Sequence, residues 1–244
     1  MDLTKAKVLI TGGNSGIGMA TAAALKDAGA QVVITGRDET KLKVAAAALG
    51  VHYIQGDVTD EADVVGMVVG ANEKMGGLNV LINNAGYGYV APLTEIDPAQ
   101  FEQVWRTNVL GAMLVAKQAA KLFKENDYGC IINIASTAAL KGGANTSPYN
   151  ATKFALRGMT EAWRDELRPH NVRVMLVNPS EVITNFATNK VDKDGNSVEK
   201  TYTENEHISK LRGEEIAAVI KSLIGLDDRT LVTETTVFAT NPKV

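Results

Sequence analysis

An α/β fold, with a parallel sheet covered by helices on both faces, is predicted by three features of the sequence. Short apolar runs alternate with segments of helical periodicity along nearly the whole chain. The runs are apolar throughout rather than every second residue, as strands buried on both faces must be. The first run ends directly in a glycine-rich turn that opens a helical pattern.

Taken in order, Val8-Leu9-Ile10 is the first strand, and the alanine-rich residues 17–28 the helix that follows it. The β-branched run Val32-Val33-Ile34 is the second strand, followed by a helix over 39–49; Val51-His52-Tyr53-Ile54 is the third, followed by a helix over 62–75. Val80-Leu81-Ile82 is the fourth strand. The segment 101–123, rich in Ala, Leu, Met and Val, reads as one helix longer than average, with an apolar face wide enough for both the core and a subunit interface. Ile131-Ile132-Asn133-Ile134 and Val172 to Val177 are the fifth and sixth strands, separated by a helix over 151–167. A helix over 213–224 and a final strand over 231–239 complete seven strands. Strand, helix, strand at this spacing forces right-handed crossovers and one parallel sheet.

Composition sets the outer bounds. At 244 residues, 45% hydrophobic and 22% charged, the chain buries a real core, and no Pro/Gly/Ser-rich linker, charge block or repeat divides it. A single domain over 1–244 is expected. The net charge of -3 argues against nucleic acid as partner. No apolar stretch approaches 18 residues and the start lacks a basic, then apolar, leader, so no membrane partner and a cytoplasmic location are expected. The lone Cys130 lies in an apolar run and reads as core. His52, His170 and His207 are dispersed without ligand spacing, so no metal is expected.

The chemistry begins at Thr11-Gly12-Gly13-Asn14-Ser15-Gly16-Ile17-Gly18, between the first strand and the first helix. Glycines there allow a tight turn and the close passage of a pyrophosphate, whose charge is met by amides at the helix start. The second strand ends Thr35-Gly36-Arg37-Asp38. Gly36 stands where an NAD enzyme usually offers a carboxylate to the ribose, and Arg37 offers a charge-assisted contact to a 2′-phosphate, which favours NADP(H). The alternative is that Arg37 pairs with Asp38 or Glu39. Tyr149 and Lys153 share a helical face at i and i+4, and Ser136 closes the fifth strand, so topology carries all three to the carboxyl edge of the sheet.

The glycine-rich motif, Asn83-Asn84-Ala85-Gly86, Asn108, Ser136 and Tyr149-Asn150-Ala151-Thr152-Lys153, in this order along almost the whole chain, resemble the short-chain dehydrogenase/reductases. They are most similar to the branch of 3-oxoacyl carrier-protein reductases and ketone or steroid reductases. The resemblance implies a single-domain Rossmann fold and hydride transfer between NADP(H) and a carbonyl or secondary alcohol, a 3-oxoacyl thioester or a small ketone. It makes Tyr149 the general acid in reduction and the base in oxidation. Ser136 positions the carbonyl, Lys153 binds the nicotinamide ribose and tunes Tyr149, and Asn108 holds a relay water. It assigns Thr11, Gly12, Asn14, Ser15, Gly16, Ile17 and Gly18 to the cofactor, with Asn84, Ala85 and Gly86 beside them. Asp57 and Val58 fall at the adenine, where an ordinary Asx turn is the alternative for Asp57. Pro179, Val182 and Thr184 fall at the nicotinamide. Family members form dimers and tetramers through helices like 101–123 and 151–167, so a homotetramer or homodimer is expected.

Departures from the family pattern are local. Ser180 stands in the glycine position of the usual Pro-Gly pair, followed by Glu181, and the final strand lacks the usual glycine pair. Tyr87, Tyr89, Ala138, Leu140, Ser180 and Phe186 are candidate substrate residues. The polar, turn-prone segment 184–211 is expected to be a substrate loop, against the alternative of a solvated insertion. A non-enzymatic NADP(H) sensor and a nucleotide-sugar epimerase remain as other readings; the retained Ser136, Tyr149, Lys153 and Asn108 argue against the first, and the short chain against the second.

Overall fold

The computed structural model describes residues 1–184, 196 and 202–240. The strands are β1 (Lys7–Thr11), β2 (Gln31–Gly36), β3 (His52–Gln55), β4 (Val80–Asn83), β5 (Gly129–Ile134), β6 (Val172–Pro179), β7 (Val182–Ile183), β8 (Leu211–Arg212) and β9 (Glu234–Val237). The helices are α1 (Gly16–Asp27), α2 (Glu39–Leu49), α3 (Glu61–Met75), α4 (Pro98–Trp105), α5 (Ala112–Glu125), α6 (Ser147–Leu167), α7 (Glu204–Ser209) and α8 (Gly213–Gly225). Seven strands form one parallel sheet in the order β3-β2-β1-β4-β5-β6-β9, and β7 pairs with β8 apart from it. The fold is therefore a single Rossmann domain, with helices on both faces of the sheet. The chain order reverses between β1, which pairs with β2 on one side, and β4 on the other. A crevice at the carboxyl ends of the strands follows from that reversal.

Burial on both faces explains the continuous apolar strands. Val8 and Ile10 of β1, Val80 and Ile82 of β4, and Cys130 and Ile132 of β5 point to one face, where they meet Leu25 of α1, Leu42 of α2 and Ile216 and Ile220 of α8. Leu9, Leu81 and Ile131 point to the other, against Met67 and Val68 of α3 and Val115 and Phe123 of α5. Each such side chain stabilises the fold by about 1.5–3 kcal/mol relative to exposure. The Cys130 thiol is fully buried there, which pushes its pKa up to about 11. Helix starts are set by carboxylates: Asp38 accepts from the Lys41 N–H at 3.0 Å, and Asp60 from the Ala62 and Asp63 N–H groups. Gly50 and Gly76 end α2 and α3 in left-handed conformation, φ 64° and 60°.

Two elements differ from their expected form. The helix expected over 101–123 is two helices, α4 and α5, joined through a π turn over Arg106–Gly111. Periodicity does not reveal such a turn, because it inserts one extra residue without breaking the helix. The final strand covers only Glu234–Val237, which pair with Leu176 to Pro179 of β6. Of the expected substrate loop, residues 185–195 and 197–201 lie outside the described residues, Phe186 among them. No described helix is long and apolar enough to cross a membrane.

A buried polar chain joins the strands that carry the crevice to the helices behind them. Asn83 Nδ2 donates to the Ala112 carbonyl at 3.1 Å and to Asn133 Oδ1 at 3.0 Å. Asn133 Nδ2 donates to Thr160 Oγ1 at 2.8 Å, and Thr160 Oγ1 donates to the Leu156 carbonyl at 2.7 Å. Removing one member leaves buried groups without partners, at about 1–3 kcal/mol each. Asn133→Ala is accordingly expected to cost ~2–3 kcal/mol and to lower the Tm by ~4–12 °C for a chain of this size. Thermal unfolding followed by circular dichroism reads this directly, and a Tm unchanged from the parent contradicts it.

Candidate active site

The carboxyl ends of the strands open onto a cavity of about 860 Å³. At its centre the turn after β1 runs so close to its surroundings that side chains are excluded. A Cβ on Gly13 would lie 2.5 Å from Ile34, and one on Gly18 would lie 2.5 Å from the Gly12 carbonyl. Gly12 and Gly16 hold φ of 64° and 52°, in the left-handed region. The turn is fixed from the side by Asn84, whose Nδ2 donates to the Thr11 carbonyl at 3.0 Å and the Gly12 carbonyl at 3.1 Å. Thr11 Oγ1 accepts from the N–H groups of Asn84 and Ala85 at 3.0 and 3.1 Å. The first turn of α1 faces the cavity at Ser15, Gly16 and Ile17. This cradle suits a pyrophosphate: backbone can approach it, no side chain intrudes, and a helix N-terminus faces it.

Toward the outer strands, Asp57, Val58 and Arg37 line the same cavity. The Asp57 Oδ1 does close an Asx turn, accepting from the N–H and hydroxyl of Thr59 at 2.8 and 2.9 Å, while the residue still lines the cavity. The surface pairing that competes for Arg37 is not made. Asp38 pairs with Lys41 at 3.4 Å and Glu39 with Lys43 at 3.0 Å, and Arg37 has no ion pair among the described residues. A Cβ on Gly36 would lie 3.1 Å from Asn14 Oδ1, so a side chain there would have to push Asn14 aside.

At the inner end lie Ser136, Tyr149 and Lys153. Ser136 follows β5 and caps a single 3-10 turn, its Oγ accepting from the Ala138 N–H at 3.1 Å. The Tyr149 hydroxyl is hydrogen-bonded to Ser136, and the Lys153 ammonium lies 5.6 Å from the centre of the Tyr149 ring. Lys153 is 5% exposed and donates to the Ile134 carbonyl at 2.9 Å. Burial raises the Tyr149 pKa above the ordinary tyrosine value, with the Ser136 hydrogen bond opposing it, and lowers that of Lys153 to about 8. Among the groups of the chain itself, desolvation is the larger of the two effects on Tyr149.

Most of the expected site residues meet in this one cavity, including Gly12, Asn14, Ala85, Gly86, Pro179, Ser180, Val182 and Thr184. Thr184 stands against the start of α1, 3.2 Å from where a Gly16 Cβ would be. Others act from behind. Thr11 and Gly18 shape the cradle without lining the cavity. Asn108, in the π turn, is 2% exposed; its Nδ2 donates to the Tyr87 carbonyl at 2.9 Å and Thr152 Oγ1 at 3.1 Å, so its side chain meets a relay water only as an acceptor. Tyr87 lines the cavity, but Tyr89 is fully buried with its hydroxyl accepting from the Asp97 N–H at 2.8 Å. Ala138 lies outside the lining, its carbonyl turned to Asn150 Nδ2 at 2.7 Å, although Thr137 of the same turn lines the cavity, and Leu140 is exposed at the surface.

Several residues were missed from sequence. Asn150 Nδ2 donates to the Ala138 and Lys141 carbonyls at 2.7 and 2.9 Å, pinning the turn after Ser136 to the start of α6; its place beside Tyr149 was the signal. Lys41 reaches the cavity beside Arg37, one helical turn further along α2. Lys210 lines the cavity with Tyr202, 5.6 Å from that ring, and pairs with Glu181 at 2.5 Å and Glu206 at 2.8 Å. The i,i+4 spacing of Glu206 and Lys210 announces their pair, but no spacing announces Glu181, which arrives across β7 and β8.

Comparison with known proteins agrees with this geometry. Residues 6–195 match the family model described as short chain dehydrogenase. The chain is 32% identical over 228 residues to oxidoreductase asL5 of Sarocladium schorii, covering 92% of this chain and 90% of that protein. A 3-ketoacyl-(acyl-carrier-protein) reductase from Brucella melitensis, complexed with NADH, superposes with a TM-score of 0.84 at 28% identity, covering 97% of this chain and 98% of that one. An alcohol dehydrogenase from the archaeon Thermococcus sibiricus, complexed with 5-hydroxy-NADP, superposes with a TM-score of 0.84 at 26% identity, covering 98% and 99%.

The buried Lys153 sets a pH dependence that does not rest on its role. Its folded pKa, about 8, lies below the ordinary value of 10.5. Below pH 8 both states are charged and the folded state carries the full cost of burying the ammonium. Between about 8 and 10.5 the unfolded chain holds more protons, so stability rises with pH. Lys153→Met is expected to be more stable than the parent at pH 7, with an advantage that shrinks between those limits. Urea unfolding of both proteins at several pH values tests this, and a constant difference contradicts it.

Proposed function

The chain belongs to the short chain dehydrogenase family, an oxidoreductase that uses a nicotinamide dinucleotide on a carbonyl or alcohol, and on that premise we propose NADP(H) as its cofactor and a small neutral ketone as its substrate. The observation that carries this reading is a single cavity with Arg37 at one end and the Ser136–Tyr149–Lys153 group at the other. The glycine cradle lies between them, and a dinucleotide laid across it reaches both. Arg37 without an ion pair among the described residues, Lys41 beside it and no carboxylate at Gly36 favour a 2′-phosphate over a bare ribose.

The reduced nicotinamide, when bound, supplies the hydride. Ser136 Oγ and the Tyr149 hydroxyl hold the carbonyl oxygen, and Tyr149 gives it a proton as negative charge develops there. In the reverse direction Tyr149 accepts the proton. Lys153 presents its ammonium beside the Tyr149 ring and toward the cofactor ribose. Asn108 holds Thr152, whose hydroxyl donates to the Tyr149 carbonyl at 2.8 Å, so it braces the helix turn that carries the acid and offers its oxygen to a relay water.

The charge of Lys210 is already answered by Glu181 and Glu206, which favours a neutral substrate over an acidic or carrier-borne thioester. The ends of the segment 184–211 meet in the β7–β8 pair beside the cavity, which supports its reading as the substrate loop. Half-exposed Trp105 on α4 and Phe154 on α6 support a homo-oligomer assembled through those helices.

Tyr149→Phe is expected to retain cofactor affinity and to lower carbonyl reduction by about 10²–10⁴-fold, measured as NADPH oxidation over a ketone panel. Near-normal turnover removes Tyr149 as the proton donor. Arg37→Ala is expected to weaken NADPH binding by about 10–100-fold, the worth of a hydrogen bond to a charged group, and NADH by much less. Equal losses for the two cofactors count against NADP(H).

A further inference from the structure

Lys210 ties together one wall of the cavity. Its ammonium pairs with Glu181, just past β6, at 2.5 Å and with Glu206 of α7 at 2.8 Å, and it lies 5.6 Å from the centre of the Tyr202 ring. The Lys210 side chain is only 15% exposed, so its charge depends on these partners. Glu206 serves twice, because its carboxylate also accepts from the Thr203 N–H at 3.0 Å and so fixes the start of α7 directly after Tyr202. The backbone joins the same two sides, with the Leu211 N–H donating to the Glu181 carbonyl at 3.1 Å. Tyr202, Lys210 and Glu181 all line the cavity.

The sheet order shows which end of the cavity this wall closes. Arg37 follows β2, near one edge of the sheet, whereas Ser136 follows β5, the neighbour of β6. The register pairs Ile134 with Val177, and two residues further along each strand Ser136 and Pro179 both line the cavity. Glu181 comes two residues after Pro179, so the Lys210 cluster lies on the side of Ser136 away from Arg37. A dinucleotide running from Arg37 to Tyr149 leaves that side to the substrate. The Lys210 charge is met there by two carboxylates, and the surface beside it is the Tyr202 ring. Resting on the reading of the substrate as a small neutral ketone, we propose that Tyr202 is a specificity-determining residue whose ring packs on a flat, aromatic substituent of that ketone, and that Lys210 is the positioning residue holding the ring. A ring anchored by a nearby ammonium keeps its orientation, and an aryl group gains from contact with it beyond the area it buries.

The test compares acetophenone with 2-octanone, an aryl and a straight-chain ketone with the same number of carbons, as substrates of the parent and its variants with saturating NADPH. The parent is expected to favour acetophenone in kcat/KM. Tyr202→Leu is expected to lower that preference by about 2–10-fold, through KM, and Tyr202→Phe, which keeps the ring, to preserve it. Lys210→Met is expected to shift the preference the same way with kcat within about twofold of the parent and NADPH affinity unchanged, and Lys210→Arg to restore it. Added to Tyr202→Leu, Lys210→Met is expected to cost nothing further, because the ammonium acts through the ring. The proposal is overturned by equal losses for both ketones in Tyr202→Leu, by a Lys210→Met that lowers kcat or weakens NADPH, by additive losses in the double variant, or by a parent that reduces both ketones without preference. A parent inactive on every neutral ketone overturns the substrate reading itself and this inference with it, a failure distinct from the loss of preference alone.

Discussion

The close approach of two turns, the one after β1 and the one after β4, is the constraint on which the site depends. A phosphate pair can be met by backbone amides only where no side chain stands between them, and the turn at residues 11–18 meets that condition by contact with its neighbours. Gly12 lies where a Cβ would be 3.0 Å from the Ala85 Cα, and Asn84 ties the carbonyls of Thr11 and Gly12 to the β4 side. The two turns belong to adjacent parallel strands at the point of chain reversal, so the sheet order itself holds them together. Any residue larger than glycine at position 13 or 18 presses on Ile34 or on the Gly12 carbonyl.

From that contact, buried hydrogen bonds carry order toward the catalytic end. Asn83 and Asn133 link β4 and β5 to α5 and α6, and Asn108 links the π turn to both Tyr87 and Thr152. Asn150 then fixes the turn that follows Ser136. Four asparagines thus locate a serine, a tyrosine and a lysine that come from two elements, and none of the four needs to touch the reacting atoms. In a low-dielectric interior such bonds are strong when satisfied and costly when broken, which suits a frame that must hold geometry. The π turn serves the same end: Gly111 leaves room for Val58, 2.7 Å from where its Cβ would be, so the helix can press against the loop that follows β3.

Much of this was legible in the sequence, for physical reasons that differ by element. Strands buried on both faces show as Val8-Leu9-Ile10 or Ile131-Ile132 whatever surrounds them, and the glycine turn declares itself between a strand and a helix. Tyr149 and Lys153 are related by helical spacing. The π turn at Arg106–Gly111 was hidden because its periodicity is nearly helical. Tyr89 and Tyr87 look alike in sequence, two residues apart, and only packing sends one hydroxyl to the Asp97 N–H and leaves the other without a hydrogen bond among the described residues. Lys210 was invisible for a different reason: Glu206 lies one helical turn before it, but Glu181 and the cavity reach it only when β7 meets β8. The depth of Tyr149 and Lys153 was not legible either, since burial depends on packing and sequence shows only proximity.

The central claim is that one dinucleotide spans the cavity with its 2′-phosphate at Arg37 and its nicotinamide at Tyr149. A crystal structure of the ternary complex with NADP⁺ and an unreactive ketone analogue tests it most directly. The account predicts the Tyr149 and Ser136 hydroxyls within about 2.6–3.2 Å of the carbonyl oxygen and the 2′-phosphate in contact with the Arg37 guanidinium. A nucleotide lying in the opposite sense, or an analogue whose carbonyl is held away from Tyr149, contradicts it.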